Sequence, residues 1–142
     1  MAALIEKSFP VEAGAYETAG EASAVIKRTL KQLGVNSEVL RHVSVACYEV
    51  ELNLVIHSLG GTLTLRVDPD QVVLISKDVG PGIPDIEKAM TEGFSTANEE
   101  ARTLGFGAGM GLPNMKRNAT TFEIESEVGV GTTITMGFAL NA

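Results

Sequence analysis

Tryptophan is absent from this chain of 142 residues, and aromatic residues make up only 5% of it. A core without large rings must be mostly aliphatic. The 44% of hydrophobic residues supply that material, which suits an α/β or α+β domain. Cysteine is nearly absent as well. The single Cys47 excludes an internal disulfide, and its apolar helical surroundings mark a buried, inert thiol rather than a nucleophile or metal ligand. No apolar run reaches the roughly 20 residues of a membrane span, and the N-terminus lacks a signal-peptide pattern, so a cytoplasmic protein without membrane partners is expected. Basic residues are scarce: 11 Lys and Arg stand against 18 Asp and Glu, a net charge of −7. That balance argues against a nucleic-acid partner, whose phosphates need clustered cations. It favours solubility and leaves room for a small anion held by local donors and a cation. The length fits one domain over residues 1–142.

Along the chain, residues 3–11 alternate weakly and include Pro10, which predicts an edge strand. Helical spacing of Ala22, Ile26, Leu30 and Leu33 predicts a helix that Gly34 stops. Asn36 or Ser37 caps a second helix reaching His57. That helix is apolar on most sides and therefore largely buried. Residues 62–67 and 72–77 predict two strands joined by the turn sequence Asp-Pro-Asp-Gln. A short helix is expected over 84–92, a long loop over 93–108 and a helix over 111–117. Residues 120–127 and 132–139 form a last hairpin that turns at Gly129 to Gly131. The order predicts an α+β two-layer sandwich, with helices on one face of a mixed, mainly antiparallel sheet.

Three polar features interrupt this apolar plan. Glu49, Asn53 and His57 follow i, i+4, i+8 and share one face of the buried helix. A polar stripe there must face a cavity, a partner or water. Glu51 falls on roughly the opposite side and is read as structural or solvated. Asn53 offers an oxygen suited to Mg²⁺, and Glu49 is placed to accept a proton from a hydroxyl or water; in isolation the pair would equally be a satisfied polar contact. His57 ends the helix, where capping is the favoured role. Asp78 follows the apolar run Val72 to Lys77, with Gly80 and Gly82 behind it. A carboxylate at a strand end can accept a hydrogen bond from an exocyclic amine such as that of adenine, while the glycines let backbone approach a flat ring. The same letters also suit a plain strand-to-helix turn. Gly105, Gly107, Gly109 and Gly111 alternate before a helix, presenting free N–H groups and a dipole end to an anion. The alternative is a flexible loop, which does not account for the regular spacing.

Together these motifs resemble the GHKL ATPase superfamily of gyrase, heat-shock chaperone, histidine kinase and mismatch-repair ATPases. The resemblance runs from about Ser37 to Leu140. It is carried by Glu49 with Asn53, by Asp78, Gly80 and Gly82, by the glycines of 105–111, and by Gly129, Gly131 and Thr132. Within it, DVGPGIPDIEKAMTEGFSTA, GMGLPNMKR and ESEVGVGTT look most like the small stand-alone serine/threonine kinases that act as anti-sigma factors or switch proteins in bacterial partner switching. The resemblance implies Glu49 as general base and Asn53 as the Mg²⁺ ligand. It implies Asp78 as the contact to the adenine amine, with a water helped by Thr132. ATP would further be lined by Gly80, Gly82, Ile83, Gly105, Gly107, Gly109, Met110, Gly111 and Leu112. Residues 93–108 would form the lid, with Phe94, Ser95 and Thr96 near the nucleotide. Val79, where many relatives have Asn, and the polar lid stretch Asn98 to Arg102 depart from the pattern. Lys116 and Arg117 are close enough in sequence to reach a phosphate, but basic residues also suit a helix C-terminus.

The expected activity is ATP- and Mg²⁺-dependent phosphorylation of a Ser or Thr on a small protein resembling an anti-sigma-antagonist, with a sigma factor as a further candidate partner. The alternatives are an ATP-dependent binding switch without significant kinase activity and, behind it, a plain ATPase. The N-terminal strand and first helix either pair two chains in a homodimer or complete the sheet.

Overall fold

A computed structural model describes residues 5–58, 60–80, 83, 86, 90 and 111–140. The elements are β1 (Ile5–Val11), a 3-10 turn (Tyr16–Thr18), α1 (Glu21–Gln32), α2 (Ser37–His57), β2 (Gly61–Val67), β3 (Gln71–Asp78), α3 (Gly111–Asn118), β4 (Thr121–Glu127) and β5 (Gly131–Ala139). Of the short helix expected over 84–92, only Ile86 and Met90 are described, and Met90 N donates to the Ile86 carbonyl at 2.9 Å, one helical turn; the loop over 93–108 lies outside the described residues.

The sheet runs in the order β1-β2-β3-β5-β4. The expected sheet was mixed and mainly antiparallel; each of the four described pairings is antiparallel. β1 is an edge, as Pro10 requires, because proline has no N–H to give a second neighbour. The other edge, β4, exposes Glu123, Glu125 and Glu127, and this row of like charges discourages another strand from pairing there. The β2–β3 hairpin closes at Asp68, whose N–H donates to the Gln71 carbonyl at 2.9 Å.

Strand periodicity sends Leu63, Leu65, Val72, Leu74, Ile134, Met136 and Phe138 to one face, all buried. There they meet Ile26 and Leu30 of α1 and Val43, Ala46, Val50 and Leu54 of α2. Burying each large aliphatic side chain stabilises the fold by about 1.5–3 kcal/mol. Threonines and charged residues occupy much of the other face. α2 is the middle helix of the layer, packed against α1 and α3 as well as the sheet. Asn36 caps it by accepting from the Val39 N–H at 2.9 Å. Among the described residues, no helix is long and apolar enough to cross a membrane.

Glu51 is structural and not solvated, with only 3% of its surface exposed. Helix α1 begins at Gly20, a left-handed residue (φ 102°) with no side chain for capping. The Glu51 carboxylate takes over from the neighbouring helix. It accepts from Gly20 N at 2.9 Å, Ala22 N at 3.3 Å, Ser23 N at 2.8 Å and the Ser23 hydroxyl at 2.6 Å. This satisfies the amides that every helix start leaves open and sets a negative group at the positive dipole end. Cys47 is also buried, as expected. Burial, chiefly, pushes its thiol up to about 12; the Ser23 hydrogen bond works against the rise and the Glu51 charge adds to it.

Candidate functional site

Two groups of residues build the site, and α2 joins them. The first lies where β2, β3 and β5 end together. Asp78 continues the inward-facing row of Val72, Leu74 and Ser76, so its side chain emerges on the helical side of the sheet. Its paired residue on β2 is Gly61. A Cβ on Gly61 would collide with the Lys77 carbonyl and lie 3.0 Å from Leu54 Cδ2. Gly131, at φ 155°, likewise passes so close to the Asp78 carbonyl that a side chain there would clash. These glycines let the strand ends close around the acid without filling the space over it.

Asp78 is anchored by one oxygen. Its Oδ1 accepts from Thr132 N at 2.9 Å, whereas Oδ2 accepts no hydrogen bond from the described residues. Burial, the larger effect, raises the pKa of Asp78, and the Thr132 amide opposes the rise. The buried Thr132 hydroxyl lies 2.8 Å from Ser126 Oγ, which also accepts from Ile83 N at 2.7 Å. Beyond Asp78, Val79 N donates to the Gly60 carbonyl at 3.0 Å and Gly80 N to the Val130 carbonyl at 3.2 Å. The chain leaving β3 is therefore held from both sides.

The second group surrounds Glu49. This carboxylate is half-buried on the side of α2 that faces α3. A Cβ on Gly111, the first residue of α3, would lie 3.3 Å from Glu49 Oε2. Asn114, one turn later, reaches Glu49 Oε1 with its amide at 3.5 Å. Its own oxygen accepts from Arg117 at 3.3 Å. Burial raises the pKa of Glu49, and the Asn114 contact partly offsets it. Asn53 sits half-buried one turn along α2, about 6 Å further by helical rise. Its chain neighbour Leu54 packs at Gly61, opposite Asp78.

Of the residues expected from sequence, the described structure brings Glu49 and Gly111 together, and separately Asp78, Gly80, Ile83 and Thr132. Leu112 turns its side chain into the core with 8% exposure, which leaves only its backbone for a ligand. Gly82, Ser95, Thr96, Gly105, Gly107, Gly109 and Met110 lie outside the described residues. Sequence reasoning missed three contributors. Asn114 was detectable as the polar residue one turn after Gly111. Ser126 carried no signal of its own, because its role depends on the register of β4 with β5. Gly61 looked like half of an ordinary Gly-Gly turn.

The comparisons place the chain in a family. The family model of the histidine kinase-, DNA gyrase B- and HSP90-like ATPases matches residues 38–142. The chain is 32% identical over 112 residues to the serine/threonine-protein kinase RsbT of Bacillus subtilis (strain 168), covering 76% of this chain and 78% of that protein. It is also 32% identical over 120 residues to the anti-sigma F factor of Thermoanaerobacter sp. (strain X514), covering 81% and 80% of the two chains. In structure it is similar to the catalytic domain of histidine kinase ThkA, with a TM-score of 0.53 at 15% identity over 96% of both chains; that likeness concerns the fold. With residues 38–142 matched by that family model and relatives at 32% identity covering most of its length, this chain belongs to the histidine kinase-, DNA gyrase B- and HSP90-like ATPase family.

Proposed function

We propose that the protein is an ATP- and Mg²⁺-dependent serine/threonine kinase that phosphorylates a small partner protein and regulates transcription by partner switching. The carrying observation is the environment of Glu49. Its carboxylate lies at the first turn of α3, where the glycine-rich stretch ends, and among the described residues only a long contact from Asn114 engages it. A group in that position is free to take the proton of an attacking hydroxyl. A raised pKa makes it a better base than an ordinary surface carboxylate while it is ionised.

Asp78 would hold the adenine amine through Oδ2, which no described residue engages, oriented by Thr132 and helped by a water beside this pair. Ile83, Gly80 and Gly82 would border the base. The N–H groups at the start of α3 would face the phosphates, together with Gly105, Gly107, Gly109 and Met110. Ser95 and Thr96 would belong to the lid. Among the described residues, no cluster of three His, Cys, Asp or Glu could hold a metal. That donor set suits Mg²⁺, which commonly takes one or two protein oxygens and completes its shell with phosphates and water. Asn53 has a carbonyl oxygen of the right hardness, one turn from the base. When bound, the cation would supply charge neutralisation for phosphoryl transfer, a reaction that depends mainly on positioning and electrostatics.

The similarity to proteins named as a serine/threonine kinase and an anti-sigma factor supports a protein acceptor. The test is transfer of γ-labelled phosphate from Mg-ATP to purified small acceptor domains. Glu49→Gln is expected to keep nucleotide affinity and lose transfer by about 10²–10⁴-fold, the usual worth of a general base. Normal transfer by that variant would remove Glu49 from the role. Tight, ATP-dependent partner binding without transfer by the wild type would establish a binding switch instead.

A further inference from the structure

The charge of this protein is unevenly placed. The whole chain carries −7, yet the exposed surface of its helical layer is basic. Lys27, Arg28 and Lys31 on α1, Arg41 on α2 and Lys116 on α3 are all exposed, and none forms an ion pair among the described residues. The exposed acids on these helices are Glu21 and Glu38, because Glu51 is buried and Glu49 half-buried.

The packing gathers these cations at one end. The N-terminus of α1 meets the middle of α2 at Glu51, and the connection from α1 to α2 is short, so the two helices run antiparallel. The end of α3 meets the start of α2, where His42 Nδ1 and Asn118 Oδ1 lie 2.9 Å apart. The last turns of α1 and α3 therefore flank the first turns of α2. Both flanks place basic residues there.

Between the flanks, the outward face of α2 is apolar. Val45 is 38% exposed and Tyr48 41% exposed, Leu52 is half-buried, and the three follow helical spacing on one side. Leu33, at the α1 C-terminus, is 49% exposed. Glu49 lies on the next face round, toward α3. The Val45 end of this stripe runs between the cations, while Tyr48 and Leu52 extend it toward the α1 start at Gly20 and Glu21; an apolar stripe with cations at one end, beside the Glu49 carboxylate, differs from scattered surface leucines and valines.

We propose that this face docks an acidic, amphipathic helix of a protein partner, its apolar side on Val45, Tyr48 and Leu52 and its carboxylates against Arg28, Lys31, Arg41 and Lys116. The choice of an acidic protein rests on charge complementarity and on the apolar stripe, which a nucleic-acid backbone would not use. If the kinase reading holds, the same contact positions the acceptor beside Glu49, and to that extent the inference deepens that reading. The surface itself requires no phosphoryl transfer.

The probe is a synthetic helical peptide of about four turns with Leu at i, i+3, i+4 and i+7 and Glu on both flanks. It is titrated into isotope-labelled protein without nucleotide and followed by amide chemical shifts. Saturable shifts centred on residues 41–52 are expected, with binding that weakens as salt screens the border. Arg28→Glu with Arg41→Glu should weaken binding about tenfold, since each reversal turns an exposed attraction into a repulsion. Val45→Ser should weaken it separately. Mg-ATP affinity of these variants serves as the fold control and is expected to be unchanged. A wild type that binds Mg-ATP but shows no saturable shift overturns the surface and leaves the kinase reading standing. Binding that is indifferent to the charge reversals overturns the surface in the same way. Preference for a Lys-flanked peptide, single-stranded DNA or phosphatidylserine vesicles would also overturn it. Peptide binding at this face without phosphate transfer to any acceptor would sink the kinase reading and keep the surface.

Discussion

Glu51→Ala isolates the contact on which the start of α1 depends. The substitution removes the acceptor of three backbone amides and one hydroxyl. Gly20 has no side chain to replace it, and Ala22 and Ser23 are buried. A buried donor left without an acceptor costs about 1–3 kcal/mol. Two buried amides at the middle of that range give about 4 kcal/mol. The part-buried Gly20 amide adds little because water can reach it, and releasing a buried carboxylate from its desolvation cost offsets some of the loss. A net destabilisation of about 3 kcal/mol is expected. Domains of this kind are typically stable by 5–15 kcal/mol, so the effect would be large and would lower the melting temperature by roughly 6–12 °C.

Urea unfolding followed by circular dichroism reads this directly, provided the denaturant slope stays constant. Glu51→Gln separates hydrogen bonding from the cavity that alanine leaves. It keeps the volume and one acceptor oxygen but turns an NH₂ group toward donors, so it should still lose about 1.5 kcal/mol or more. Losses below about 1 kcal/mol in both variants would refute the reasoning and mean that water or a shifted α1 start satisfies these amides.

The other predictions concern the site. Asp78→Asn retains an oxygen for Thr132 N but presents an amide where a carboxylate would accept the adenine amine; Mg-ATP affinity should fall about 10–100-fold, by the 1.5–3 kcal/mol of a hydrogen bond to a charged group, and an unchanged calorimetric titration would contradict the adenine role. Glu49→Gln should raise the melting temperature at neutral pH. Because burial raises the Glu49 pKa in the fold, the native state holds its proton more tightly than the unfolded chain. The contribution of Glu49 to stability is thus greatest below the unfolded pKa of about 4.3 and is lost as pH rises through the folded value. The advantage of Gln should shrink on acidification, and melting curves from pH 7 to pH 4 check it. Asn114→Ala removes the contact that holds the Glu49 pKa down, so the acid limb of the transfer rate should move to higher pH. An unmoved limb with reduced rate would assign Asn114 a packing role alone.

Much of this architecture is legible in sequence because local rules and tertiary packing agree. The hairpin at Asp68 to Gln71, the Asn36 cap and the edge strand with Pro10 each follow from the chemistry of a few neighbouring residues. What escaped depends on contacts between segments far apart in the chain. Asn114 meets Glu49 across 65 residues, and Ser126 meets Ile83 across 43. No periodicity encodes such meetings; they exist once the sheet order and the packing of α3 on α2 are known. The helical layer's basic end is of the same kind. Lys31, Arg41 and Lys116 are ordinary surface residues on their own helices and form a patch only after three helix ends converge.

Glu49 and Glu51 show how far helical phase alone can separate chemistry. Two residues apart, the side chains point to opposite flanks of α2, one toward α3 and the other toward α1. The sequence distinguishes them only through Asn53, which shares a face with Glu49. In the fold the difference becomes one of hydrogen-bond supply. Four donors saturate Glu51 and tie it to the start of another helix, so a proton or ligand would have to displace a structural contact. Among the described residues Glu49 meets one amide at the long limit of hydrogen bonding, beside a glycine that adds no bulk. Burial without saturation leaves a carboxylate available for chemistry, whereas burial with saturation makes it part of the scaffold. A helix apolar on most sides can thus use one acid to hold its neighbour in place and keep the other free.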